Sequence, residues 1–405
     1  MDCIASFVKA RNLLQNIVRK PPLILSEYLS AATGNNVYLK AENIQLTGAY
    51  KVRGALYKIS TLPREILDRG IITSSAGNHA QGVAYAAHRY NAKAVIVMPT
   101  TTPLVKVNNT KRYGAEVVLA GDLYDEAYQH ALELSEKYGY EFVHPFNDLT
   151  IATGQGTIAY DILEALPETD TILVPIGGGG LAAGISTLAK LLRPEVQVIG
   201  VEPRGAACMQ ASLKAGKVVS LPQVETIADG VAVMTPGDKI FPYVQANVDT
   251  ILTVDDTEIP DAFLGILENH KMLVENAGLI SVAALSQLPA EGKNVVAVLS
   301  GGNMDVITMS SLVQHGLINR GRVFTFSLLL PDKPGELARI TEIIAKESGN
   351  VIRLAHNQFV NINRYAAVEL TVTLEAYGHE HRERILNCLR AGGYEPQLEA
   401  SGSLY

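Results

Sequence analysis

A chain of 405 residues is longer than one ordinary hydrophobic core organises, so two or three structural units are expected. Hydrophobic residues make up 47% and charged residues 19%; the formal charge of −7, without a basic block, excludes a nucleic-acid or anionic-membrane footprint. Cys3, Cys208 and Cys388 lie far apart and build neither a disulfide framework nor a zinc site. With no signal-peptide pattern and only strand-sized apolar runs, a cytoplasmic, membrane-free protein acting on small molecules is expected.

In chain order, the first β-branched run is Val37–Lys40. It leads to Leu46-Thr-Gly-Ala-Tyr-Lys-Val-Arg-Gly-Ala55, which sets Lys51 among small residues beside Tyr50. Ile71–Ser74 reads as a strand, Ala80–Tyr90 as a helix, Ala94–Met98 and Glu116–Leu119 as strands, and Asp125–Tyr138 as a helix. Ile172–Pro175 is a strand, Leu181–Leu192 a helix, and Val196–Val201, Ile251–Val254 and Asn294–Ser300 are further strands. Strands alternating with helices predict crossover units and mostly parallel sheets, an α/β architecture.

Val313–Arg322 reads as a linker. Beyond it come a strand at Phe324–Leu330, a helix at Glu336–Lys346, strands at Val351–Phe359 and Tyr365–Leu374, a helix at His379–Ala391 and a closing strand at Glu395–Leu398. That β-α-β-β-α-β order predicts a separate ferredoxin-like domain.

Ligands in parallel α/β folds bind where strand C-termini meet helix N-termini, so the Gly-rich segments after strands carry most information. Three occur: Ser75-Ala-Gly-Asn-His79, Gly177-Gly-Gly-Gly180 and Ser300-Gly-Gly-Asn303. A run of glycines opening a helix lets backbone N–H groups converge on an anion, with the helix dipole adding positive potential. The run has neither the Gly-Lys-Ser/Thr ending of a nucleotide loop nor an acidic residue at dinucleotide-site spacing. A lysine can serve as a covalent anchor or base only where burial lowers its pKa. Tyr50 and the neighbouring glycines permit such a setting for Lys51.

The ordered set of Lys51 in its motif, Ser74-Ser-Ala-Gly-Asn-His-Ala-Gln-Gly82, Gly154-Gln-Gly-Thr157, the glycine run and Ser300-Gly-Gly-Asn303 resembles the threonine and serine dehydratases. These are pyridoxal 5'-phosphate enzymes of fold type II. The likeness spans roughly residues 5–315, and Asp332-Lys-Pro-Gly-Glu-Leu337 resembles the start of an amino-acid-binding ACT domain.

The resemblance implies a catalytic domain over residues 1–318, with a small subdomain at about 52–148 inserted, and a linker with an ACT regulatory domain over residues 319–405. By the same resemblance Lys51 carries the cofactor and acts as the base. Asn78 meets the ring hydroxyl, Gly177, Gly178, Gly179 and Gly180 cradle the phosphate, and Ser300 faces the pyridine nitrogen. Ser75, Asn78 and His79 bind the substrate carboxylate, and Phe146 packs the substrate methyl. Asp332, Gly335, Leu337 and Asn350 are the expected effector residues. A homo-oligomer, dimer or tetramer, is expected. A neutral hydroxyl at Ser300 disfavours a long-lived carbanion, which suits loss of a β-hydroxyl better than transamination.

The implied reaction is α,β-elimination from L-threonine, and from L-serine, to a 2-oxo acid and ammonia. Serine racemase or 3-hydroxyaspartate ammonia-lyase is the alternative on the same scaffold, and a non-catalytic amino-acid sensor is the alternative of another class. Ala76 stands where related racemases carry a serine that reprotonates the opposite face. Glu202 and the carbonyl of Ala206 match part of a cation site found in relatives, but Cys208 replaces a carboxylate, so no metal is expected.

Overall fold

The structure, a computed structural model, describes Met1, residues 3–357 and residues 368–399. The chain divides into two compact units, Met1–Asp305 and Val306–Tyr405.

The first unit holds two sheets. In the larger, the strand order is Leu23–Leu25, Asn36–Lys40, Asn294–Val298, Thr171–Pro175, Gln197–Pro203 and Thr250–Val254. Only the first pairing is antiparallel. Asn294–Val298 lies in the middle, with Val298 level with Lys40 and Ala297 level with Leu173. Parallel register therefore delivers the chain at one edge of the sheet from three strands. The segments that leave there run to Lys51, to Ser300 and to the glycine run. The near-continuous Val/Ile/Leu sequences of these strands answer to burial on both faces.

The smaller sheet orders Glu116–Leu119, Ala94–Met98, Ile71–Ser74 and Glu141–Phe142, all parallel. Ile71–Ser74 and Glu141–Phe142 point the same way, so Ser75–Gly77 and Val143–Asn147 emerge together. The strands Leu23–Leu25 and Glu141–Phe142 were not expected from sequence, being too short to show an alternation.

The helix Lys51–Ser60 packs against helices Asn78–Arg89 and Leu149–Gly156. Gly54 and Gly154 set the spacing: a Cβ on Gly54 would lie 2.8 Å from the Ile151 carbonyl, and one on Gly154 2.8 Å from the Arg53 carbonyl. The start of the Lys51 helix is also anchored by buried charge. Arg53 donates to both carboxylate oxygens of Glu42, at 2.9 and 2.8 Å, and to Asp161 at 2.7 Å. Lys40 donates to Asp161 at 3.2 Å and to the Pro21 carbonyl at 2.8 Å. Burial alone would raise the Asp161 carboxyl, but Arg53 and Lys40 hold it below the usual range.

In the second unit the order is strand Val323–Leu330, helix Glu336–Lys346, strands Asn350–Asn357 and Val368–Glu375, helix His379–Ala391 and strand Gln397–Leu398. The sheet is antiparallel, with Val323–Leu330 and Val368–Glu375 inside, and its helices bury Ile340, Ile344, Ile385 and Leu389. This is the ferredoxin-like order expected; Gln358–Phe359 and Tyr365–Ala367 of the two expected middle strands lie outside the described residues.

The expected linker at Val313–Arg322 is mostly helix: Val306–Asn319 is helical and buries Leu312 and Gly316. The boundary between the units thus falls between Asp305 and Val306 rather than after residue 318. An apolar helical spacing that continues past Val313 outweighed the compositional break.

Candidate active site

Lys51 is the first residue of its helix, and its amine donates to the Pro145 carbonyl at 2.8 Å. Burial lowers its pKa to about 8, with the Glu275 carboxyl opposing the shift. The Tyr50 ring lies 5.4 Å from the amine, and burial likewise pushes the Tyr50 phenol above its ordinary range. The lysine is thus partly unprotonated near neutral pH, as an anchor or base must be.

The loop before Lys51 is stitched to the loop after Asn294–Val298. Tyr50 N–H donates to the Ser300 carbonyl at 3.0 Å, Gly302 N–H donates to the Gly48 carbonyl at 2.8 Å, and Ala49 and Gly301 form an antiparallel bridge. Residues 250 positions apart therefore share one backbone framework.

Asn78 opens helix Asn78–Arg89 and reaches the same loop. Its amide donates to Glu275 at 2.6 Å and accepts from the Asn303 amide at 2.8 Å, while Asn303 also donates to the Thr47 carbonyl at 2.7 Å. Glu275 is buried, which pushes its pKa up to about 8; Asp229 adds to the rise and the Asn78 hydrogen bond opposes it. The Asn78 amide ties the Glu275 carboxyl to the start of helix Asn78–Arg89.

Ser75 sits in the turn before the helix, where its hydroxyl accepts from Gly77 N–H at 3.2 Å, and a Cβ on Gly77 would meet open space. The His79 side chain turns inward, donating from Nε2 to the Val143 carbonyl at 3.0 Å, and burial lowers its pKa to about 3. The imidazole is therefore neutral and ties the Ser75–His79 segment to the loop at Val143.

Gly177–Gly180 follows Thr171–Pro175, and Gly180 opens the helix Gly180–Leu192. Gly179 has φ +97°, a left-handed conformation that glycine adopts without strain. A Cβ on Gly178 would lie 2.2 Å from the Phe146 ring. Phe146 thus lies against the glycine run, edge-on to His144 at 4.7 Å. His144 Nδ1 accepts from the N–H groups of Phe146 and Asn147 at 3.2 and 2.9 Å, which fixes the turn carrying Pro145.

These residues fit pyridoxal phosphate. The glycine run offers backbone N–H groups at a helix N-terminus, Lys51 offers a near-neutral amine, and the buried Gln155 amide beside Gly180 has no protein partner. Lys51, Asn78, Ser300, Phe146 and the glycines are linked by this chain of contacts.

Two other groups of residues behave differently. Glu202 accepts from the N–H groups of Met209 and Gln210, each at 2.8 Å, so its carboxylate caps the helix Cys208–Ala215. Burial raises Glu202 to about 7, and burial beside Glu202 raises Cys208 to about 12. Among the described residues no group of three or more His, Cys, Asp or Glu is placed to hold a metal.

In the second unit, Asp332, Gly335 and Leu337 follow Leu330, but Asn350 starts at the opposite end of the sheet. Leu330 pairs with Val368, whereas Asn350 pairs with Glu375 and donates to its carboxylate at 3.2 Å. One chain does not bring these four residues together.

Sequence reasoning missed the Pro145 acceptor, the Arg53 charge cluster and the inward turn of His79. None has a sequence signal, because each depends on what lies across the fold.

Residues 14–301 match the family described as pyridoxal-phosphate dependent enzyme. An L-threonine ammonia-lyase of Thermotoga maritima is 42% identical over 98% of this chain and 100% of its own. One from Geobacter sulfurreducens is 43% identical over 95% of this chain and 96% of its own. Among solved structures, the processed threonine deaminase isoform 2 of Solanum lycopersicum is 40% identical, covering 77% of this chain and 92% of its own, with a TM-score of 0.74. Maize serine racemase is 35% identical, covering 78% and 98%, with a TM-score of 0.73.

Proposed function

The chain belongs to the pyridoxal-phosphate-dependent enzymes, and from that premise we propose that it removes water and ammonia from L-threonine, with L-serine as a second substrate. The observation that carries this reading is the buried Lys51 amine, near pKa 8, in a backbone framework shared with the Ser300 loop. Similarity over nearly the whole length of two L-threonine ammonia-lyases supports the substrate.

Bound there, pyridoxal phosphate supplies an electron sink for the pair left when the Cα–H bond breaks. Gly177 to Gly180 would hold the phosphate, Lys51 would hold the cofactor covalently until the substrate's amine displaces and frees it, and Asn78 and Ser300 would orient the ring. The Lys51 amine takes the proton from Cα of the amino acid, a role its lowered pKa permits. Ser75 and the backbone at Asn78 and His79 hold the substrate carboxylate at a helix N-terminus. The β-hydroxyl departs with a proton as water, and water returns when the released enamine tautomerises and hydrolyses to 2-oxobutanoate and ammonia. By the family likeness Phe146 would face the threonine methyl from its place against Gly178 of the glycine run. One methyl discriminates by only ~1–3 kcal/mol, so serine stays a substrate. Ala76 has no proton to give to the opposite face, which disfavours racemisation despite the likeness to a serine racemase.

The second unit is an ACT domain whose Asp332, Gly335 and Leu337 bind an amino-acid effector. Asn350 completes that site from a second copy, since it lies at the far end of the sheet within one chain.

The test is formation of 2-oxo acid from threonine, serine and 3-hydroxyaspartate, with isoleucine, valine, leucine and methionine titrated against the intact chain and a chain lacking residues 323–405. Absence of 2-oxo acid from threonine overturns the catalytic reading. Absence of any amino-acid effect on the intact enzyme overturns the regulatory one.

A further inference from the structure

Gln155 lies in the helix Leu149–Gly156, wedged between the Lys51 helix and the helix that begins at the glycine run. It is fully buried, and neither its Nε2 nor its Oε1 has a hydrogen-bond partner. A Cβ on Gly54, one turn after Lys51, would lie 3.0 Å from Nε2, and a Cβ on Gly180 would lie 3.3 Å from Oε1. The carboxamide thus bridges the space between the lysine-bearing helix and the mouth of the anion cup.

A buried amide with both ends unpaired is destabilising, and an apolar side chain such as leucine would remove that cost. Gly54 and Gly180 leave room beside the amide that any side chain there would take. The amide's oxygen and nitrogen can exchange places by a half-turn about its last torsion, because no partner fixes either. A dianion in the cup selects the orientation that turns the NH2 toward Gly180.

We propose that Gln155 is a phosphate-holding residue whose NH2 donates to the cofactor phosphate, directly or through one water, as the side-chain complement to the backbone donors of the glycine run. This rests on the pyridoxal-phosphate reading of the site. It accounts for a fully buried amide with both polar atoms unpartnered, at a position where packing alone would favour an apolar side chain.

The test uses the full-length apoenzyme and two probes, pyridoxal phosphate and pyridoxal, which lacks the phosphate. Gln155→Leu should weaken pyridoxal phosphate binding about 10- to 100-fold, the loss of one hydrogen bond to a charged group. Affinity for pyridoxal should stay unchanged, and the apoenzyme should unfold at the same or higher temperature. Gln155→Glu, of the same shape, should bind pyridoxal phosphate more weakly still, recovering as the pH falls and the carboxyl is protonated. Wild-type affinity in either variant at neutral pH, or an equal loss for both probes, overturns the proposal. If Gln155→Leu does not fold, the pH dependence of Gln155→Glu decides alone. Failure of the wild type to bind pyridoxal phosphate at all would instead overturn the reading on which the proposal rests.

Discussion

Replacing Arg53 by methionine tests whether buried charge sets the start of the Lys51 helix. The cluster comprises Lys40 and Arg53 against Glu42 and Asp161, and so is neutral as it stands. Side-chain exposure is 1% at Lys40, 3% at Arg53, 0% at Glu42 and 17% at Asp161, so water cannot replace a missing partner at three of the four. Arg53→Met leaves two carboxylates to Lys40 alone, which is 3.7 Å from Glu42 and 3.2 Å from Asp161. An unpaired buried charge costs about 3–5 kcal/mol, a large part of the ~5–15 kcal/mol that holds a domain folded. Adding Glu42→Leu removes the orphaned carboxylate and leaves the Lys40–Asp161 pair neutral, so the double variant should recover most of that loss. Urea denaturation of the wild type, both single variants and the double variant gives the coupling directly. A single-variant cost below ~1 kcal/mol, or additive losses in the double variant, would refute the reasoning.

Lys51→Ala should abolish 2-oxo acid formation and the visible absorption of bound cofactor, and full turnover by that variant would sink the catalytic assignment. Glu275 has a pKa of about 8 against an ordinary 4.5, so the folded apoprotein binds more protons than the unfolded chain between those values. The contribution of Glu275 to stability should therefore fall as the pH rises from 4.5 to 8, while His79, held near pKa 3, works in the opposite sense below its ordinary 6.5. Relative to Glu275→Gln, the wild type should lose stability across that range, and a constant difference between the two would assign the titration elsewhere. Chelators should leave turnover largely intact, because the Glu202 carboxylate is already bound to the N–H groups of Met209 and Gln210; strict dependence on magnesium or calcium would contradict this.

Much of the fold was legible in the sequence because strands buried on both faces and helices with one apolar face carry opposite periodicities. Ile71–Ser74, Ala94–Met98 and Glu116–Leu119 occupy the spans expected, as do Glu336–Lys346 and His379–Ala391. The site was legible where motif chemistry is local: glycines for an anion cup, and a lysine among small residues. Tertiary structure decided the rest. Parallel register brought the Lys51 and Ser300 segments to one edge and stitched them by backbone hydrogen bonds. Burial, which no window of sequence measures, set Lys51 and Glu275 near pKa 8 and left His79 neutral on the Val143 carbonyl. The length of a sheet separated Asn350 from the loop at Asp332, because Val323–Leu330 and Asn350–Asn357 both pair antiparallel with Val368–Glu375 and so run the same way, setting Asn350 level with Val323 while Asp332 follows Leu330. A sequence specifies which side chains carry chemistry, but pKa values and hydrogen-bond partners depend on distance and dielectric, and those exist only once the chain has folded.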